Sequence, residues 1–147
     1  MSEIGLNTNL ASEFYVMSLL LRRGEDAHLT LGNKKSVDIL IYNKKKPMIT
    51  IDVKGLKGKT SFPVDNLKEY GRNHFIVFVS ILNAIADTNT LPEVYIVPAN
   101  ELSKKHKELS DKTLIYVSPN EKRKVLPLGR LRALGKRYRD NWDILKR

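Results

Sequence analysis

Val37-Asp38-Ile39-Leu40-Ile41-Tyr42, Asn43-Lys44-Lys45-Lys46-Pro47, Met48-Ile49-Thr50-Ile51-Asp52-Val53-Lys54: this stretch decides how the chain folds. Its outer segments are rich in β-branched residues and the middle one collects turn formers, which is the signature of a hairpin. Side chains alternate along a strand, so Ile49, Ile51 and Val53 face one way while Thr50, Asp52 and Lys54 face the other. Val37, Ile39 and Ile41 likewise share a face, and Asp38 looks out of the opposite one. A one-residue slip would put the two aliphatic sets on opposite sides, so burial selects the register. With Tyr42 opposite Met48 across a five-residue loop, Asp38 falls opposite Asp52. The two carboxylates then stand roughly 5 Å apart at Cβ, with Lys54 two positions further along the same face.

Like charges directly opposite on a sheet repel, and two close carboxylates do not both ionise cheaply without a cation. A divalent metal resolves the conflict, because hard oxygen ligands suit Mg²⁺ or Mn²⁺. The plainer alternative leaves both acids solvated on an open sheet face, with Lys54 as their ion-pair partner.

The 147 residues fit one domain, 1–147, large enough for a single core. Without cysteine there is no disulfide framework and no thiolate metal site. No apolar run approaches membrane-spanning length and the N-terminus lacks a secretory pattern, so a cytoplasmic protein that does not enter membranes is expected. The formal charge of +10 is unevenly placed: residues 122–147 hold ten basic side chains against Asp140 and Asp143, which leaves +8 there. Such a local excess fits polyanion binding. A merely soluble basic face is the alternative.

In chain order, a helix is expected from Leu10, with Asn7 or Asn9 as its cap and Gly24 as its stop. Its apolar stripe would run through Leu10, Phe14, Met17 and Leu21, supported by Val16 and Leu20. Glu13 lies inside that stripe or on its rim. Either it reaches water at the edge or it points as a third acid towards the pair on the sheet. Residues 26–31 read as a strand before a Gly32-Asn33 turn. Residues 55–61, Gly-Leu-Lys-Gly-Lys-Thr-Ser, follow a strand but fail as a phosphate loop, since the first required glycine falls at Val53. Lys57, Lys59, Thr60 and Ser61 could still hold phosphates of a nucleic acid.

A short helix is expected at 64–72. A doubly buried strand follows at 75–81, then a strand at 93–97, a polar helix at 100–109 and a strand at 113–117. The segment 126–146 should be a basic helical tail in two parts around Gly129 and Gly135, with Tyr138, Trp142 and Leu145 packed in the core. His28, His74 and His106 lack the paired spacing of a zinc site and read as ordinary surface or strand-end residues.

Taken together, Glu13 in the first helix, Asp38 in a strand and Asp52-Val53-Lys54 in the next resemble the PD-(D/E)XK nuclease superfamily, and small archaeal Holliday-junction-resolvase-type members in particular. The likeness covers residues 10 to about 80. Val37 stands where the family name has proline, and Asp52 where many members carry glutamate. The resemblance implies an α/β, restriction-endonuclease-like fold: a central mixed β-sheet flanked by helices, here with a basic C-terminal helical segment. It implies that Asp38, Asp52 and the Val53 carbonyl hold Mg²⁺ (or Mn²⁺), that Lys54 positions and helps deprotonate the attacking water, and that Glu13 is the extra helix acid. The expected function is metal-dependent endonucleolytic hydrolysis of DNA, duplex or branched, with Lys57, Lys59, Thr60, Ser61, Arg130, Arg132, Lys136, Arg137 and Arg139 on the nucleic acid. A symmetric homodimer would suit the cutting of two antiparallel strands. The alternative is a protein of the same fold that binds nucleic acid and cuts nothing.

Overall fold

The central hairpin forms with the expected parity but a tighter turn. In the computed structural model, which describes residues 3–30, 37–64, 72–102, 116–117 and 124–146, β2 (Ile39–Asn43) runs antiparallel to β3 (Lys46–Leu56). Ile39 pairs with Ile51, Leu40 with Thr50 and Ile41 with Ile49, the anticipated register. The loop, however, is only Lys44-Lys45, not five residues. A bulge between Ile41 and Asn43 absorbs the difference, and the Asn43 side chain accepts the Lys45 amide at 2.9 Å to close the turn.

Around the hairpin a mixed α/β architecture is built. α1 (Glu3–Arg22) is followed by β1 (Asp26–Leu29), β2 and β3, then by β4 (Ser61–Pro63), β5 (His74–Ser80) and β6 (Glu93–Pro98). The five-stranded sheet has the order β1-β2-β3-β5-β6, and its single parallel contact is β3 with β5. β7 (Tyr116–Val117), β8 (Lys124–Pro127) and β4 make a second, three-stranded sheet, followed by the helix Leu128–Leu134 and two 3₁₀ turns. β4 and β8 were not anticipated. Residues 61–63 and 124–127 are too short to show alternation, and it is their mutual pairing, Phe62 with Leu126, that makes them strands.

α1 begins earlier than expected, at Glu3, so Asn7 and Asn9 lie inside it and do not cap it. Its end is as read: Gly24 at φ +83° carries the reversal, with the Gly24 amide on the Leu21 carbonyl and the Glu25 amide on that of Leu20. The buried stripe differs. Thr8, Ser12, Val16 and Leu20 face the sheet, whereas Phe14 is 55% exposed and Leu10 and Leu21 are also solvent-facing. The cause lies in β3. A Cβ on Gly55 would fall 2.6 Å from Ser12 Oγ and 3.1 Å from the Thr8 carbonyl, so helix and strand touch backbone to backbone through small residues. That close approach rotates the bulky residues away.

By register and alternation, Ile51, Val53 and Gly55 lie on the α1 side of the sheet, with Thr50, Asp52 and Lys54 on the far side alongside His74, Ile76, Phe78 and Tyr95. On the far side Phe62 of β4 meets Phe78 edge-on at 5.0 Å. β5 is buried throughout, as its continuous apolar run requires. Residues 138–140 cover the outer edge of β6, with Ile96 donating to the Tyr138 carbonyl and Asp140 to that of Val94. Tyr138, Trp142 and Leu145 are core residues, as expected. The tail breaks at Gly135 but not at Gly129, which sits inside the helix. Of the other expected elements, residues 99–102 are helical, while most of the 64–72 and 100–109 helices, the Gly32-Asn33 turn, the start of the 113–117 strand and His106 lie outside the described residues. No helix is long and apolar enough to cross a membrane among the described residues.

Candidate functional site

Three acids from three separate segments meet where β2 parts from β3. The ladder ends at Ile39–Ile51, and the next residue back, Asp38, does not continue it. Its amide turns to the Ile51 carbonyl at 2.8 Å while its carboxylate accepts the Val53 amide at 2.7 Å. Asp38 therefore brackets Asp52 from Ile51 to Val53 and is not its ladder partner, as strict pairing would have made it. A carboxylate that replaces a backbone acceptor lies near the plane of the sheet, so it is reachable from both sides. Glu13 meets it from α1 and Asp52 from β3.

The electrostatics record this crowding. Asp52 is 4% exposed, and its pKa is pushed up from 3.8 to about 7, mainly by burial. The Lys54 ammonium, 3.3 Å from Asp52 Oδ2, pulls the other way, and Asp38 adds to the rise as hydrogen-bond partner and like charge. Half-buried Glu13 is pushed from 4.5 to about 7, first by burial, then by its hydrogen bond to Asp38, then by the charges of Asp38 and Asp52. For Asp52, burial outweighs the lysine.

Lys54 follows Asp52 on the same side of β3 and remains 26% exposed at its side chain. It is held by the acid yet open to a ligand. The donors suit a hard cation: two carboxylates and the Val53 main chain, with no thiolate. Among the described residues no group of three His, Cys, Asp or Glu side chains is arranged to hold an ion. A cation here would rest on Asp38 and Asp52, completed by main chain, water or substrate, which is how Mg²⁺ is usually held.

His74 is a strand-end residue, one of the two expectations for it, but not a surface one. It opens β5 but is buried, with Nδ1 on Thr50 Oγ1 at 2.7 Å, and burial holds its pKa down at about 4. It is a neutral ring at physiological pH, on the same side of the sheet as Asp52. Nothing in its sequence context distinguished it from an exposed histidine.

Lys57, Lys59, Thr60 and Ser61 lie just past Lys54, at the end of β3, with both lysines exposed. The loop is fixed by its main chain. Ser80 Oγ donates to the Gly58 carbonyl at 2.6 Å, Asn83 N to that of Lys57 at 2.7 Å, and Leu128 N to that of Thr60 at 2.9 Å. Leu82 takes a left-handed conformation, φ 58°, between two of these contacts. That costs roughly 1–2 kcal/mol for a non-glycine residue, so the surrounding bonds must hold it.

The basic tail is less available than its composition suggests. Arg132 grips Glu93 with two nitrogens, Arg139 reaches the same carboxylate at 3.3 Å, and Arg137 pairs with Glu101 while lying over the Tyr138 ring. The Arg132 hydrogen bond is the main reason Glu93 sits below the usual carboxylate range. Lys136 is exposed and Arg130 half-exposed. Sequence reading could not see these acids coming, since Glu93 and Glu101 lie more than thirty residues from their arginines. Comparison with protein-family models, with curated proteins and with solved structures returned no match for this chain.

Proposed function

We propose that the protein is a Mg²⁺-dependent endodeoxyribonuclease that hydrolyses phosphodiester bonds at Asp38, Asp52 and Lys54. The observation that carries this reading is the convergence of Glu13, Asp38 and Asp52 beside one lysine, with two of the acids driven to about 7. Acids perturbed by burial and by one another, grouped around a cation, concentrate at hydrolytic sites, where such neighbours tune them to their task. The order of helix and three strands, with β3 parallel to β5, supports a restriction-endonuclease-like fold.

Asp38 and Asp52, with the Val53 main chain, would hold the cation. Bound there, it would supply Lewis-acid stabilisation of the charge growing on the phosphate and a more acidic attacking water. Asp38, tied to the Val53 amide, holds its carboxylate in one orientation. Lys54, tethered to Asp52, directs the attacking water and offers its ammonium to a phosphate oxygen. Glu13 closes the α1 side of the site. Water's oxygen bonds to phosphorus as the bond from phosphorus to the ester oxygen breaks, water's proton passes to solvent and the departing oxygen takes one from solvent. Lys57 and Lys59 lie where they can take the flanking phosphates.

The test is cleavage of plasmid and branched DNA with Mg²⁺ by the wild type, Asp52→Asn and Lys54→Ala. Both variants should bind DNA and fail to cut it, and undiminished cutting would refute the assignment. Binding without cutting is the second reading, favoured by the ion pair of Lys54 with Asp52, which gives the lysine a partner with no metal involved. A wild type that binds DNA but never cuts it would establish that alternative.

A further inference from the structure

We propose that the tip of the β2–β3 hairpin is a stacking platform for unpaired nucleotides. Resting on the nuclease reading above, this makes the preferred substrate DNA with unpaired nucleotides beside the scissile phosphate, in place of uninterrupted duplex.

The argument starts from exposure. Tyr42 is 48% exposed and meets His28 edge-on, with ring centroids 5.4 Å apart, and the His28 side chain is itself 55% exposed. Two aromatic rings on a solvent-facing sheet surface are not there to fill a core. His28 pairs with Leu40, and Leu40 with Thr50, so the rings stand on the same side of the sheet as Asp52. Tyr42 is four residues along β2 from Asp38, a span of roughly 13 Å at strand rise. The bulge at Ile41/Asn43 falls on Tyr42 and sets its direction, a device common beside functional sites.

The surroundings select the occupant. Lys44 and Lys45 form the exposed turn next to Tyr42 and Lys46 follows them, on a chain of net charge +10, so the complement is an anion. Asp26, the acid in contact with these rings, is engaged by His28 Nε2 at 2.7 Å, which also fixes the ring. Aromatic faces next to lysines, along one open sheet surface, are the combination that binds single-stranded nucleic acid: bases stack on the rings while the cations follow the backbone. Bases in a continuous duplex are already stacked on their neighbours and cannot use the rings.

The experiment measures affinity without divalent metal, so that cleavage plays no part. The probes are labelled oligonucleotides of one length: a single strand, a blunt duplex, and a fork with two unpaired arms. The wild type should prefer the fork to the blunt duplex. Tyr42→Ala should weaken fork and single strand about tenfold while leaving blunt duplex within roughly twofold, Tyr42→Phe should match the wild type, and Tyr42→Leu should behave like alanine. Lys45→Ala should weaken every probe and flatten the salt dependence by about one ion. Equal losses for Tyr42→Ala on fork and duplex, no loss on either, or full binding by Tyr42→Leu would overturn the proposal. Failure of the nuclease reading would appear separately, as absence of Mg²⁺-dependent cutting by the wild type.

Discussion

Replacing Asp52 with asparagine should make the metal-free protein more stable at neutral and alkaline pH, although it removes the ion pair to Lys54. Burial and the neighbouring acids push Asp52 from 3.8 to about 7. An acid raised in this way ionises in the unfolded chain first, so stability falls as pH climbs from about 4 to about 7 and then levels off. One pKa unit is worth about 1.4 kcal/mol, so the whole rise would be ~4 kcal/mol. Glu13 is raised to about 7 as well, first by burial and then by Asp38, and stays in place when Asp52 is removed, so the relief is taken as roughly half, ~2 kcal/mol. Against this stands the lost pair with Lys54, worth ~0–1 kcal/mol because the ammonium can turn to water. Urea unfolding of wild type and Asp52→Asn at pH 4 and pH 8, with chelator present, measures the difference. It should be near zero at pH 4 and ~1–2 kcal/mol in favour of asparagine at pH 8. A variant less stable than wild type at pH 8, or a difference that does not change with pH, would show that Asp52 is an ordinary ion-pair partner.

Other consequences follow from the same geometry. Gly55→Ala places a methyl 2.6 Å from Ser12 Oγ and 3.1 Å from the Thr8 carbonyl, and should cost ~1–3 kcal/mol by thermal or urea unfolding, with part recovered in a Ser12→Gly background. Phe14→Ser should change stability by less than ~0.5 kcal/mol while Val16→Ala costs ~1–3 kcal/mol, because Phe14 is exposed and Val16 is not. Glu93→Gln should cost ~1 kcal/mol at pH 7, the arginines it leaves being half exposed. Since Glu93 is held below the usual carboxylate range, the difference should vanish as pH falls through its native pKa. Added Mg²⁺ should raise the melting temperature of the wild type and leave that of Asp52→Asn unchanged.

What the sequence could disclose depended on how local the determining contacts are. The hairpin and its register were legible because β-branched alternation and burial act within a few residues, and the three acids and Lys54 could be picked out together. The turn is shorter than the residue pattern implies, since a bulge lets a two-residue turn serve the register of a five-residue one. The face of α1 was misjudged for a different reason. Hydrophobicity pointed to Leu10, Phe14 and Leu21, but Gly55 admits Ser12 and Thr8 so closely that small side chains take the inside. β4 pairs with β8 across more than sixty residues, and Arg132 and Arg139 reach Glu93 across some forty. No window of sequence contains such information.

The proposed function stands or falls on whether a hard divalent cation binds between these carboxylates. Crystals soaked in Mn²⁺ and measured at the manganese absorption edge test it most directly. An anomalous peak is expected between the Asp38 and Asp52 carboxyl groups, absent in Asp52→Asn. Saturating Mn²⁺ with no peak between those side chains would contradict it.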